Sequence, residues 1–264
     1  MSDNKKSGQV SEDAAKVYEE IWVPSLFEKW APVIADAAKL RDWHRVLDVA
    51  CGTGLVAITV DDRIGSKGSV TGVDINEGML KIAKSKSSRI KWDKYPAESL
   101  PYEDSSFDRV LCQFGLMFFE NQEKALREMT RVLKPNGLLV FNVWDKLEEN
   151  PGFLARTVFW EKAVGDKARD DATYSLGDKE ILTELLRACG ISNMKIQTHT
   201  AAAQYPSIRD WMYVTAKGWT QDELFDENTF EQMVIEAQTA FSQFEKTDGT
   251  VSFPTLAHVV TVTK

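Results

Sequence analysis

The densest chemical information in the chain lies in one run, Val46-Leu47-Asp48-Val49-Ala50-Cys51-Gly52-Thr53-Gly54-Leu55. An apolar strand feeds a Gly-x-Gly turn, and a helix starts at once. Glycine lets a backbone turn tightly and come close to a ligand, and the first turn of a helix presents unpaired N–H donors. Asp74 stands twenty residues beyond Gly54, where the next apolar run ends. A carboxylate at that place can accept both hydroxyls of a ribose. Gly52-Thr53-Gly54 alone describes any tight strand–helix turn; followed by Asp74 at this distance, it describes a nucleoside site.

Asp48 decides which nucleoside. Gly52 to Ala57 also fits the dinucleotide pattern G-x-G-x-x-G/A, which sets a pyrophosphate over the loop. An ionised Asp48 close by repels that group by about a few kcal/mol at an effective dielectric of about 20. No lysine or arginine lies between Val46 and Asp61 to offset it. A ligand carrying an ammonium and a sulfonium beside its ribose has the opposite requirement, so the positively charged nucleoside is favoured over the nicotinamide dinucleotide.

The elements that must hold these residues follow from hydrophobic rhythm. Short β-branched runs at Arg45 to Ala50, Ser69 to Val73, Arg89 to Lys94, Phe107 to Gln113 and Leu138 to Trp144 read as strands. Helices fall between them near Leu55 to Arg63, Glu77 to Lys86 and Gln122 to Leu133, the last closed by Pro135-Asn136-Gly137. Such alternation predicts an α/β fold, a Rossmann-like parallel sheet with helices on both faces, binding ligands beyond the carboxyl ends of its strands. Upstream, a helical stretch from about Ser11 to Lys39 carries Tyr18, Ile21 and Trp22 on one face, with Pro24 breaking or restarting it. Downstream, the pattern loosens from Asp145 to about Tyr174 around Phe153, Phe159 and Trp160. A helix at Asp178 to Cys189, strands at Met194 to Gln204 and Thr255 to Val262, and helices near Ser207 to Ala216 and Asn228 to Phe244 complete the chain.

The 264 residues divide into a polar tail over 1–10, expected to be disordered, and one domain over 11–264. Within the domain we read a helical lid over 11–39, a ligand-binding core over 40–144, and substrate-cover segments over 145–175 and 205–250. Residues of the hydrophobic class make up 43% and charged residues 27%, which excludes a disordered or disulfide-stapled chain. Forty acidic against 32 basic residues give a net charge of −8, against a nucleic-acid partner. No apolar run approaches the roughly 18 residues of a membrane span, and the start has no signal-peptide core, so the cytoplasm is the expected location. Cys51, Cys112 and Cys189 form no CxxC pair, and no metal site is expected. His44, His199 and His258 read as structural, and no catalytic base is named. Oligomeric state is open.

These motifs together resemble the class I S-adenosylmethionine-dependent methyltransferases, in the small-molecule branch typified by the ubiquinone/menaquinone-biosynthesis enzymes. The likeness is close from about Tyr18 to Trp144 and looser from Leu176 to Val262. It implies a seven-stranded sheet whose last strand is antiparallel, with a final hairpin built around Gln197 and Val259. It implies S-adenosyl-L-methionine as cofactor, leaving as S-adenosyl-L-homocysteine, and a small, apolar or aromatic metabolite as acceptor. By the same resemblance Asp48, Ala50, Gly52, Thr53 and Gly54 hold the methionine part, Asp74 the ribose, Ile75 and Met79 the adenine face, and Gln113 the methionine end. Ala97 and Glu98 match the adenine-edge segment. The family has an aspartate just before that alanine; this chain has Pro96, so the contact falls to the Ala97 backbone or the Glu98 side chain.

Methyl transfer from a sulfonium is an in-line displacement that needs alignment and exclusion of water. The N-terminal helix is expected to close as a lid, with Tyr18 or Trp22 touching the cofactor, so that deleting residues 1–30 weakens cofactor binding and leaves the rest folded. Trp144, Phe153 and Trp160 are expected to face the substrate. A non-catalytic module that keeps the cofactor pocket, and a nicotinamide-dependent oxidoreductase, are the competing readings.

Overall fold

Buried apolar runs too short for helices pair into a sheet, and the amphipathic segments between them pack on its two faces. In the computed structural model, which describes residues 12–165, 172–217 and 227–264, the strands are β1 (Arg45–Val49), β2 (Ser69–Asp74), β3 (Lys91–Lys94), β4 (Phe107–Gln113), β5 (Leu133–Trp144), β6 (Met194–Tyr205) and β7 (Val251–Thr263). The helices are α1 (Glu12–Val17), α2 (Ala31–Ala37), α3 (Leu55–Ile64), α4 (Glu77–Lys86), α5 (Gln122–Val132), α6 (Pro151–Val164), α7 (Lys179–Ala188), α8 (Ile208–Lys217) and α9 (Glu227–Ala240). A π-helix at Tyr18–Phe27 follows α1 directly. The tail expected over 1–10 lies outside the described residues.

The sheet has seven strands in the order β3-β2-β1-β4-β5-β7-β6. All pairs from β3 to β5 are parallel, and β7 runs antiparallel to both β5 and β6. Gln197 sits opposite Val259 in the β6–β7 hairpin, where the resemblance placed it. Strand order reverses between β1 and β4, which opens a crevice at their carboxyl ends. Val46, Leu47, Asp48 and Val49 are all buried, since helices cover both faces of β1. On one face Ile34 of α2 and Val56, Ala57 and Val60 of α3 pack on Val46 and Val140. On the other, Trp30, Leu126 and Met129 of α5, and Trp211 of α8 join the larger core.

Three expectations need correction. Pro24 neither breaks nor restarts the N-terminal helix, because it lies inside the π-helix, which runs on to Phe27. There the Glu28 N–H donates to the Val23 carbonyl at 2.8 Å, the wide i→i+5 spacing of that helix type. The loosened stretch after Asp145 contains the fourteen-residue α6, with Pro151 in its first turn and Gly165 at its C-cap. Its apolar residues run round the helix instead of along one stripe, so spacing does not reveal it. Pro135-Asn136-Gly137 lies within β5, where the pairing register with β4 shifts between Phe107–Leu133 and Arg109–Leu138.

His258 is buried, with Nε2 2.9 Å from the Gly177 carbonyl oxygen and Nδ1 3.1 Å from Thr198 Oγ1. Burial lowers its pKa, and the Asp145 carboxylate at 3.2 Å partly opposes that shift. Among the described residues no helix is long and apolar enough to cross a membrane.

Candidate functional site

The turn between β1 and α3 is wound in the left-handed region at Ala50, Gly52 and Gly54, with φ of 56°, 53° and 88°. Backbone bonds anchor it. The Cys51 N–H donates to the Val73 carbonyl at 3.1 Å, and the Gly54 N–H to the Cys51 carbonyl at 2.9 Å. The two glycines serve different ends. A Cβ at Gly54 would stand 2.6 Å from Trp92 Cη2, whereas one at Gly52 would meet nothing within 4 Å. Packing demands the first glycine; the second keeps the cavity beside it open.

Asp74 ends β2 facing that loop. Its carboxylate accepts the Gly52 N–H and the Asn76 N–H, each at 2.8 Å. Burial raises its pKa, and these backbone donors counter the rise. Asn76 also caps α4, its side chain accepting the Met79 N–H at 3.0 Å. One layer deeper lies Asp48, 1% exposed, with no hydrogen bond to either carboxylate oxygen. Desolvation pushes its pKa up to about 8, with the nearby Ala57 N–H pulling the other way. Thr53 Oγ1 and Gln113 Oε1 are likewise buried without a hydrogen-bond partner.

The far side of the cavity is aromatic. Phe114 adopts φ of 52°, and its N–H is held by the Asn142 side-chain oxygen at 3.0 Å. That backbone turn lays its ring on Trp144, with centroids 3.8 Å apart and planes 13° apart. Trp30 meets both rings edge-on, at 5.6 and 5.8 Å. From the π-helix, Phe27 packs on Phe114 and stacks with Tyr18. Phe153 of α6 stands edge-on to Trp144 at 5.4 Å.

The cavity brings together Tyr18, Trp22, Ala50, Gly52, Asp74, Ile75, Met79, Gln113, Trp144 and Phe153 of the residues expected from sequence. Asp48, Thr53 and Gly54 lie behind its lining, at the loop's root. Ala97 is buried elsewhere, and Glu98 points to the N-terminus of α5, accepting the Asn121 N–H at 3.3 Å. Trp160 is 2% exposed and packs against Phe159 in the core rather than in the wall. The lining draws on the first cover segment through Phe153, Arg156, Thr173 and Tyr174, and on none of the described residues of 205–250.

Sequence reasoning passed over Asn76, Phe27, Phe114 and Arg156 as site residues. Asn76 carried a readable signal, an N-cap type just before the acidic first turn of α4. Phe114 stands in the run Cys112 to Phe119 that resembles the family's fourth-strand motif, but its place in the wall depends on an unusual φ, and Arg156 depends on a helix that spacing hid.

A family model described as a methyltransferase domain matches residues 47–141. Demethylmenaquinone methyltransferase of Staphylococcus aureus strain JH9 is 36% identical over 222 residues, covering 76% of this chain and 92% of that protein. The chain belongs to the class I S-adenosylmethionine-dependent methyltransferases. Against the strain MRSA252 protein of the same name, identity is 37% over 150 residues, spanning 53% of this chain and 62% of that one. In fold the chain is similar to phosphoethanolamine N-methyltransferase 2 of Haemonchus contortus, solved with S-adenosyl-L-methionine. The TM-score is 0.62 at 18% identity, over 98% of this chain and 59% of that one.

The cofactor of this methyltransferase is S-adenosylmethionine, and the residues present suit it. Acceptor oxygens on Asp48, Asp74 and Gln113 gather at the loop, and the only cationic side chain lining the cavity among the described residues is Arg156. The open space beside Gly52 leaves the backbone accessible to the ligand.

Proposed function

We propose that this protein transfers the methyl group of S-adenosylmethionine to a small, flat, quinone-like or aromatic acceptor held against Phe114, Trp144 and Phe153. The observation that carries the reading is a single cavity that joins the Gly52–Asp74 loop to an aromatic wall. When bound, S-adenosylmethionine supplies a methyl carbon on a sulfonium, open to attack from the side opposite sulfur. Asp74 orients the ribose hydroxyls with the acceptor capacity its two backbone bonds leave free. Ile75 and Met79 cover the adenine face. Gly52, Ala50 and Gln113 hold the methionine end, with Asp48, Thr53 and Gly54 supporting them from beneath. Tyr18 and Trp22, from the π-helix, close the cavity and exclude water.

Holding donor and acceptor in line can lower the barrier by roughly 7–11 kcal/mol. Aromatic faces around a sulfonium add cation–π attraction. The name of the Staphylococcus aureus relatives supports a quinone-type acceptor. The test is incubation with methyl-labelled S-adenosylmethionine and a reduced naphthoquinone, followed by mass spectrometry, with calorimetry on S-adenosylhomocysteine and NADH. Label in the naphthalene product and micromolar binding of S-adenosylhomocysteine alone is the expected result. Cofactor binding with no transfer to any flat acceptor leaves a binding module, and preferential NADH binding overturns the proposal altogether.

A further inference from the structure

Arg156 is the charged side chain in the described lining of the cavity that neither the nucleoside site nor the aromatic wall requires. It sits half-buried on α6, its guanidinium 5.2 Å from the centre of the Phe153 ring. Among the described residues it pairs with no carboxylate. Arg131, by contrast, pairs with Glu128 and Asp104, and Arg209 with Glu231. A partly desolvated guanidinium left over an aromatic ring, with its N–H donors free, is a receptor for planar anions.

Its position separates it from the donor. Asp74 ends β2 and Trp144 ends β5, three strand spacings away in the order β2-β1-β4-β5, or about 14 Å. Phe153 and Arg156 lie beyond Trp144. Among the described lining residues the cavity is therefore electrically divided, with the Asp74 carboxyl at the nucleoside end and the Arg156 guanidinium at the other.

We propose that Arg156 is a specificity residue for the acceptor, its guanidinium receiving an anionic oxygen, phenolate or carboxylate, carried by a flat ring lying along Phe153 and Trp144. The inference rests on the cofactor reading above and names the acceptor chemistry within it. Tyr174 borders the Phe153 ring, and Thr173 beside it also lines the cavity.

The test measures binding to the full chain saturated with S-adenosylhomocysteine, using 2-naphthoate, its methyl ester, and 1-naphthol across its own ionisation. The wild type is expected to bind naphthoate or naphtholate at least about tenfold more tightly than the neutral ester. R156M and R156Q should erase that preference while S-adenosylhomocysteine affinity stays within about twofold, and R156K should keep part of it, having the charge without the planar fork. Preference for the naphthoate arm assigns a carboxylate, and an affinity for naphthol that climbs with pH assigns a phenolate. Equal binding of anion and ester by the wild type, or discrimination that survives in both neutral variants, overturns the proposal. Cofactor product that binds without any anion preference sinks this inference alone; failure of the product to bind sinks the reading beneath it as well.

Discussion

Asp48 sits under a ligand loop with no hydrogen bond to its carboxylate, and burial holds it protonated up to about pH 8. In the unfolded chain it ionises near pH 4. Its folded pKa is thus the raised one, and unliganded stability should fall as pH climbs between those values. We expect the wild type to lose about 2–4 kcal/mol from this group between pH 5 and pH 8, and D48N to lose less than half as much, read from denaturant midpoints. A cationic ligand group nearby reverses the preference. Binding of S-adenosylmethionine at pH 7 should then release close to one proton from Asp48, seen as a slope of calorimetric enthalpy against buffer ionisation enthalpy. A flat plot, or one unchanged in D48N, contradicts it. The glycines give a second test. G54A drives a methyl into Trp92 and should unfold the loop or cost about 2 kcal/mol or more. G52A meets no atom, so it should cost only about 1 kcal/mol in stability through its positive φ yet weaken cofactor binding at least tenfold. Asp48, Gly52 and Asp74 were legible because glycine and a spaced carboxylate announce themselves in one dimension. What sequence could not show is depth: Asp48 belongs to the layer below the cavity, and Trp160 to the core.

At the scale of elements, the π-helix is the least expected piece. Proline ordinarily interrupts an α-helix by removing a donor; the wider hydrogen-bond spacing here carries the chain past Pro24 and brings Tyr18, Trp22, Leu26 and Phe27 to the cavity. Trp30, 0% exposed and edge-on to Phe114 and Trp144, belongs to the core, so a lid would have to end before residue 30. Removing residues 1–22 should therefore weaken cofactor affinity at least tenfold while the cooperative thermal transition survives. Unchanged affinity rules out a lid. Trp144 tests the wall: W144A strips Phe114 of its stacking partner and should cost about 3–5 kcal/mol, alongside loss of turnover. Strands and most helices were readable from period and punctuation. α6 was not, because a helix that buries more than one side shows no stripe, leaving only Pro151 and Gly165 as marks.

Over the whole molecule, the closing strand is an interior one. β7 is inserted between β5 and β6, pairing with β6 over Val251–Val262 and with β5 over Ala257–Thr263. Removing residues 251–264 should therefore abolish cooperative unfolding entirely, a much larger effect than loss of an edge strand would have, as near-UV circular dichroism would report. That insertion was foreseeable only through the resemblance, since periodicity says nothing about strand order. It also fixes where the polypeptide leaves the sheet. The Lys264 N–H donates to the Gly137 carbonyl at 3.2 Å, and its ammonium to the Leu133 carbonyl at 2.6 Å, at the margin of the sheet opposite Trp144. An affinity handle or surface tether fused there sits at the opposite end of β5 from Trp144 and the cavity it lines. One fused ahead of α1 is followed closely by the π-helix whose Tyr18 and Trp22 line the cavity, so the two attachment points are not equivalent.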